Sequence, residues 1–238
     1  MTSTTAEKTA NGWMSLFSVR RALASLSIKE RIAGLDELRG VAVLAVMFAH
    51  GAGLTTWYPS ALVPYGMHGV YLFFIVSGYL ITKILQGSIE KGQPLSTFYL
   101  RRFIRIWPLM IVALLAGALW RPQTAQFIPF NLLLMNNYTL ASGIEQVFRT
   151  DVMWSLAIEE QFYLLWPFVM IAVGQRSLPV LLAGLIALGF CFDSGVLPGG
   201  DFAVIRTTHG CMQYIALGAA IALVLAGSSP HLRGLARF

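Results

Sequence analysis

The feature that most constrains this fold is the alternation of long apolar stretches with short segments that carry most of the Lys and Arg residues. Hydrophobic residues make up 56% of the 238-residue chain, and charged residues make up only 12%. A soluble domain of average composition carries about twice that share of charge. The sequence therefore predicts an all-α fold, a polytopic membrane helix bundle.

Six membrane-spanning helices fit this pattern, each near or slightly below the roughly 20 residues that a bilayer requires. We predict them at 38–56, 68–86, 106–120, 152–173, 178–196 and 209–227. With the N-terminus inside, the cytoplasmic segments hold all but three of the 17 Lys and Arg residues. This positive-inside bias predicts an N-in, C-in, multi-pass protein of the inner (cytoplasmic) membrane. The basic residues follow topology, so the net charge of +6 does not indicate nucleic-acid binding.

The chain divides at about residue 33. Residues 1–33 are a cytoplasmic leader whose mixture of apolar and basic residues is typical either of an interfacial helix or of a flexible basic segment. Residues 34–238 are the transmembrane domain. Its long external connection contains the apolar piece FIPFNLLLMNNYTL, which is too short for a confident span and is predicted to be re-entrant or interfacial.

Arg39 and His50 are eleven residues apart in the first span. On a helix this spacing places both on one face, about 16 Å apart. A histidine inside a membrane is expensive to bury and by default suggests a function. Histidine is the side chain best suited to exchange protons near neutrality, so His50 is a candidate general base. The alternative is a histidine that only satisfies the backbone of a neighbouring helix.

Two adjacent carboxylates, Glu159 and Glu160, lie in the apolar fourth span. Adjacent residues point in directions about 100° apart, so the two cannot share a helix face. Ser155, Glu159 and Tyr163 do share one, which predicts that Glu159 faces inward and that Glu160 lies nearer a polar rim. A structural ion pair with an arginine is the competing interpretation of Glu159.

The arginines of the RRFIRIWP stretch precede or enter the third span. Arg102 and Arg105 are three residues apart and project to one side of a helix, and their guanidinium forks suit phosphates. A topological anchor is the competing interpretation. Pro108 fits the first turn of a helix that begins here. In the second span, Ser77 and Gly78 predict close packing of helices.

Four stretches carry a family resemblance through their residues and their order along the chain: GLDELRGVAVLAVMFAH, GVYLFFIVSGYLIT, FYLRRFIRIWPL and MWSLAIEEQFYLLWP. They resemble the successive signature blocks of the acyltransferase 3 family. These are integral membrane enzymes that O-acylate, most often O-acetylate, cell-surface glycans and some other acceptors. The resemblance covers about residues 34 to 170 and continues more weakly through IALGAAIAL.

The resemblance implies roles for the candidate residues. Arg39 and His50 match the Arg-x10-His motif of the family, with His50 as the catalytic histidine. Glu159 matches the carboxylate of the WSL-x-x-E block. Arg102 and Arg105 match the arginine motif implicated in handling acyl-CoA. Arg101 is a weaker candidate for that role.

The implied reaction is transfer of an acyl group, most simply acetyl, from acyl-CoA to a hydroxyl of a cell-surface polysaccharide or lipid-linked sugar. Acyl-CoA is then a co-substrate, and neither a metal nor a tightly bound cofactor is expected. Two departures stand out: Tyr71 replaces a frequent acidic residue, and the chain ends at Phe238, before the C-terminal helices of the family. A transporter or flippase, or an inactive truncated member, are the alternatives.

Overall fold

The computed structural model describes residues 34–51, 65–91, 94–141, 153–197 and 206–227. Within those ranges every regular element is a helix, so the predicted all-α class is confirmed there. The predicted leader, residues 1–33, lies outside the described residues. The elements are α1 (Leu35–Gly51), α2 (Tyr65–Glu90), α3 (Leu95–Trp120), a 3₁₀ helix (Pro122–Phe127), α4 (Ile128–Leu132), α5 (Asn136–Ala141), α6 (Trp154–Asp193) and α7 (Thr208–Gly227).

Four of these helices, α2, α3, α6 and α7, are long and apolar enough to cross a membrane. Helix α1 has 17 residues. Helix α6 has 40, about twice what one crossing needs. The backbone of α6 is non-helical at Gly174, with φ 71° and ψ 163°, so the predicted spans 152–173 and 178–196 correspond to its two halves. Six crossings and the orientation of the termini stay predictions.

The two halves of α6 lie side by side. Met170 and Trp166 precede Gly174 by four and eight residues, and Leu178 and Leu182 follow it by the same intervals. All four side chains belong to one buried cluster. This symmetry means that the chain folds back at Gly174, where the positive φ favours glycine.

Two glycines allow α2 to pack closely against α7. A Cβ added at Gly78 would collide with the carbonyl oxygen of Ile215, and one at Gly218 would collide with the carbonyl oxygen of Ile75. Each backbone therefore occupies the space that a side chain on the other would need. The close packing predicted from Gly78 is confirmed.

Helix α1 runs antiparallel to α2. Ala49, near the end of α1, meets Gly66 at the start of α2, whereas a Cβ on Gly69 would lie 2.8 Å from the carbonyl oxygen of Ala42. The start of α1 consequently points toward the middle of α2, and the end of α1 lies at the start of α2.

Helix α3 begins eleven residues earlier than the predicted span 106–120. The whole arginine stretch is therefore helical, and Pro108 lies inside the helix rather than in its first turn, so that expectation was wrong. A proline is tolerated inside membrane helices because neighbouring groups can satisfy the freed carbonyl. The first turns of α3 contain Arg101, Arg102 and Arg105.

The connection after α3 docks onto the bundle through a ring of hydrogen bonds. The Gln161 amide donates to the carbonyl oxygen of Leu134 at 2.5 Å and to Asn137 Oδ1 at 3.1 Å. Asn137 Nδ2 donates to Thr208 Oγ1 at 3.1 Å, and the Thr208 hydroxyl donates to Gln161 Oε1. The segment that was predicted to be re-entrant or interfacial is thus held against α6 and α7.

Candidate functional site

Glu159 is the point at which α2 and α6 are joined by polar contacts. The Ser77 hydroxyl donates to Glu159 Oε1 at 2.8 Å, and the Tyr163 hydroxyl donates to Glu159 Oε2 at 3.0 Å. Glu159 and Tyr163 are four residues apart and share a helix face, as predicted. Both carboxylate oxygens therefore have donors, which offsets part of the cost of removing the group from water.

Two arginines complete this cluster from α1 and α3. The guanidinium groups of Arg102 and Arg39 both interact electrostatically with the Glu159 carboxylate. The guanidinium carbon of Arg102 also lies 3.8 Å from the centre of the Tyr163 ring. A flat guanidinium over an aromatic face is a favourable cation–π arrangement. We call Arg39, Ser77, Arg102, Glu159 and Tyr163 the inner cluster.

The inner cluster unites all four stretches that carry the family resemblance. Arg39 comes from the first, Ser77 from the second, Arg102 from the third, and Glu159 with Tyr163 from the fourth. These residues are as many as 124 positions apart in the chain, so only the packing of α1, α2, α3 and α6 brings them together.

Glu160 does not lie at a polar rim as expected, because its side chain is buried, with 8% exposure. Arg102 interacts electrostatically with this carboxylate as well. Within the described part of the chain, the buried Oε1 of Glu160 and the buried Nε of Arg101 have no hydrogen-bond partner. Such groups are rare in folded proteins and are candidates for ligand contacts. Arg105, by contrast, is exposed.

His50 lies at the far end of α1 from Arg39, about 16 Å along the helix axis. Its ring is exposed, and Nδ1 lies 2.8 Å from the carbonyl oxygen of Val46. A carbonyl only accepts, so Nδ1 is the protonated nitrogen, and in the neutral ring Nε2 keeps a free lone pair. His50 therefore has the tautomer of a general base. It lies away from the inner cluster, too far for Glu159 to orient it through a hydrogen bond.

Sequence reasoning interpreted Ser77 as a packing residue and did not assign Tyr163 a role beyond sharing the face of Glu159. The structure gives both the same role, donation to Glu159. A usable signal was present, because a hydroxyl inside an apolar span needs a partner. What the sequence lacks is the information that this partner lies 82 residues away.

A family model described as an acyltransferase domain matches residues 32–235. The chain belongs to the acyltransferase 3 family. The match extends beyond the four stretches and includes all of the described helices. Together with the membrane-spanning helices, family membership identifies this chain as a multi-pass membrane protein of an acyltransferase family.

Two bacterial relatives show what members of the family do. The peptidoglycan O-acetyltransferase OatA of Listeria monocytogenes serovar 1/2a is 30% identical over 182 residues, which is 66% of this chain and 27% of that protein. The O-acetyltransferase OatA of Staphylococcus aureus strain NCTC 8325 is 29% identical over 213 residues, 80% of this chain and 34% of that protein. The aligned part of this chain thus spans about a third of those relatives or less. No solved structure matches the chain.

Proposed function

We propose that this protein transfers an acyl group, most simply acetyl, from acyl-CoA to a hydroxyl of a cell-surface glycan. The observation that carries the proposal is the inner cluster, in which Ser77 and Tyr163 hold the Glu159 carboxylate and the Arg102 guanidinium stacks on the Tyr163 ring. Relatives with O-acetyltransferase names supply the reaction class, and one of them names peptidoglycan as the acceptor. The proposal assigns the chemistry to His50 and the binding of the donor to the arginines.

His50 is the proposed general base. Its Nε2 takes the proton from the acceptor hydroxyl while that oxygen attacks the thioester carbonyl carbon. The carbon–sulfur bond then breaks, and the departing thiolate of CoA receives the proton from the imidazolium. A positioned base of this kind contributes about 10²–10⁴-fold to the rate.

The arginines are the proposed donor site. Guanidinium groups suit phosphates, and CoA carries its phosphates at the end away from the thioester. An extended donor can therefore place its phosphates near Arg102 and Arg105 while its acyl group reaches His50. Arg101, whose buried Nε has no partner in the described part of the chain, offers a further contact. Arg39 is engaged with Glu159, about 16 Å from His50, which favours a role in donor positioning over a role in stabilising charge on the reacting oxygen.

The orientation follows from the charge of the connections. With six crossings and both termini in the cytoplasm, the start of α3 faces the cytoplasm, where acyl-CoA is present. His50 then lies toward the opposite face of the inner membrane, where a cell-surface acceptor is available. The acyl group would thus cross much of the membrane before it is transferred.

Transfer of label from radioactive acetyl-CoA to glycans tests the proposal. Membranes that contain the wild-type chain or the His50→Gln variant would be compared at equal protein levels. His231→Gln is the matched control, since it removes a histidine that the proposal does not use. We expect His50→Gln to lower the transfer rate by about 10²–10⁴-fold.

Two results would contradict the proposal. Equal transfer by the His50→Gln variant would exclude His50 as the base. Transfer from a soluble acetyl thioester that lacks the CoA nucleotide, at the same rate and concentration dependence as from acetyl-CoA, would exclude the arginine site as the holder of the donor.

A further inference from the structure

The two adjacent carboxylates of α6 differ in how their oxygens are satisfied. Both oxygens of Glu159 accept hydrogen bonds, from Ser77 and from Tyr163. The side chain of Glu160 is also buried, with 8% exposure, but its Oε1 has no hydrogen-bond partner among the described residues. A carboxylate that has been removed from water is costly to leave unpaired, and such groups are rare in folded proteins. The Oε1 atom of Glu160 therefore indicates a place for a hydrogen-bond donor of a ligand.

Glu160 is on the side of α6 that faces α3. The side chains of Arg102 and Trp107 both interact with its carboxyl group. Two turns further along α6, the Tyr99 hydroxyl donates to the carbonyl oxygen of Leu164 at 2.9 Å. Later residues of α3 thus meet earlier residues of α6, so the two helices are antiparallel. Their backbones approach each other less closely than those of α2 and α7, and long side chains make the contacts. A narrow ligand arm can lie between helices that are held in this way.

The first part of α6 runs in the same direction as α2. Ser77 bonds to Glu159, and five residues further along α2 the Thr82 hydroxyl accepts from Trp166. The start of α6 therefore lies at the same end of the bundle as the start of α2. That end is also where α1 finishes, with His50 as its penultimate residue.

Glu160 consequently lies between the proposed phosphate site and the proposed base. It precedes Tyr163, whose ring carries the Arg102 guanidinium, by three residues, a rise of about 4.5 Å toward the His50 end. An acyl-CoA with its phosphates at Arg102 and its thioester near His50 has to pass this level. The part of CoA that joins those two groups is the pantetheine arm, which contains two secondary amides. Each amide N–H needs an acceptor inside an apolar region.

We propose that Glu160 Oε1 accepts a hydrogen bond from an amide N–H of the pantetheine arm and thereby selects donors that carry this arm; the inference rests on the proposed function. The bond satisfies a buried oxygen and an amide that has lost its water. A hydrogen bond to an ionised carboxylate is also stronger than one between neutral groups. Glu160 binds and positions the donor in this proposal, and no bond to it is made or broken covalently.

A purely structural partner for Arg102 is the competing interpretation of Glu160. Arg102 already stacks on the Tyr163 ring and interacts with Glu159. A second carboxylate that served only to balance this charge would be expected to have both oxygens satisfied, as Glu159 has. The unpartnered buried oxygen favours a binding role.

Two analogues of CoA test the inference on the wild-type protein. Each has one pantetheine amide replaced by an ester, which removes one N–H donor at nearly the same shape. Binding of CoA and of both analogues to the full chain in lipid nanodiscs would be measured by isothermal titration calorimetry. We expect one analogue to bind at least about tenfold more weakly than CoA, because a hydrogen bond to a charged group is lost.

Variants show whether Glu160 is the acceptor. Glu160→Leu should bind CoA about tenfold more weakly than wild type, and it should bind CoA and both analogues with nearly equal affinity. In turnover it should raise the KM for acetyl-CoA and leave kcat largely unchanged, as expected for loss of uniform binding. Glu90→Leu is the matched control, because Glu90 is an exposed carboxylate at the end of α2 and its loss should leave the discrimination intact. Thermal unfolding followed by circular dichroism checks that both variants are folded.

The outcomes distinguish this inference from the proposed function. Equal binding of CoA and both analogues by wild type would overturn the role of Glu160 and leave the reaction untouched. Full discrimination by a folded Glu160→Leu variant would also overturn it, since another group would then be the acceptor. If discrimination depends on Glu160 but His50→Gln retains full transfer activity, the contact stands and the assigned base is wrong. If wild type binds no CoA, the contact and the assigned donor are both wrong.

Discussion

The inner cluster and the His50 end of α1 differ in how their polar groups are held. Both oxygens of Glu159 accept hydrogen bonds, from Ser77 of α2 and from Tyr163 of its own helix, and the guanidinium groups of Arg39 and Arg102 interact with it electrostatically. His50 is exposed, and its described hydrogen bond stays within its own helix. The polar groups of the inner cluster are held by tertiary contacts, whereas His50, which exchanges protons in the proposed function, is accessible. Substitutions should therefore affect stability at one end and chemistry at the other.

The largest effect on the fold is expected at Gly78, next to Ser77 of the inner cluster. Gly78→Leu places a side chain where the backbone of α7 lies, so α2 and α7 must separate. We expect little folded protein in detergent, measured by size-exclusion chromatography and circular dichroism. Gly87→Leu is the control on the same helix, because its Cβ would meet open space. Equal yields of the two variants would contradict this packing.

The next effect tests the comparison directly. Glu159→Ala leaves the hydroxyls of Ser77 and Tyr163 without their shared acceptor, and a donor left without a partner inside a protein typically costs about 1–3 kcal/mol. His50→Gln, at an exposed position, should change the free energy of unfolding by less than about 0.5 kcal/mol. Reversible unfolding in detergent measures both values. A larger loss of stability from His50→Gln than from Glu159→Ala would contradict the expectation that the inner cluster stabilises the fold and that His50 does not.

A smaller effect is expected when position 102 keeps its positive charge but loses the planar guanidinium group. Arg102→Lys retains a cation near Glu159 but loses the flat stack on Tyr163 and the bidentate fork for phosphate. We expect the KM for acetyl-CoA to rise about five- to tenfold, since a cation–π contact is worth roughly 0.5–2 kcal/mol. The corresponding change at exposed Arg105 should be smaller. A larger effect at Arg105 would show that the exposed arginine dominates donor binding.

The smallest effect is expected at an isolated hydrogen bond beside the inner cluster. Trp166 Nε1 donates to Thr82 Oγ1 at 2.9 Å between α6 and α2. Thr82→Val removes the acceptor at nearly constant volume. Interhelical hydrogen bonds in membranes average about 0.6 kcal/mol, so unfolding should become easier by about that amount. A loss above about 2 kcal/mol would mean that this bond belongs to the network around Glu159.

Some of the site was predictable from local sequence. Arg39, His50, Arg102 and Glu159 stand out because each places a costly polar group in or beside an apolar span. Ser77 was assigned to packing and Glu160 was placed at a polar rim. The surroundings of both side chains depend on which helix packs beside them, and the local sequence does not identify that helix. The start of α3 was missed because its first turns are rich in arginine and polar residues. The low hydropathy of such a segment predicts a connection between spans and not the first part of a membrane helix.

The sequence by itself determined the helical class, the approximate positions of the long helices and the spacing of Arg39 and His50 on one face, since these depend on hydrophobic content and on the helical repeat. Tertiary structure decided that α6 folds back at Gly174, that four distant stretches meet at Glu159, and that Tyr71 stacks on Tyr214. These contacts link residues far apart in the chain. They arise because two helices pack closely where glycines such as Gly78 and Gly218 let their backbones approach each other. No local sequence pattern determines which helices form such a pair.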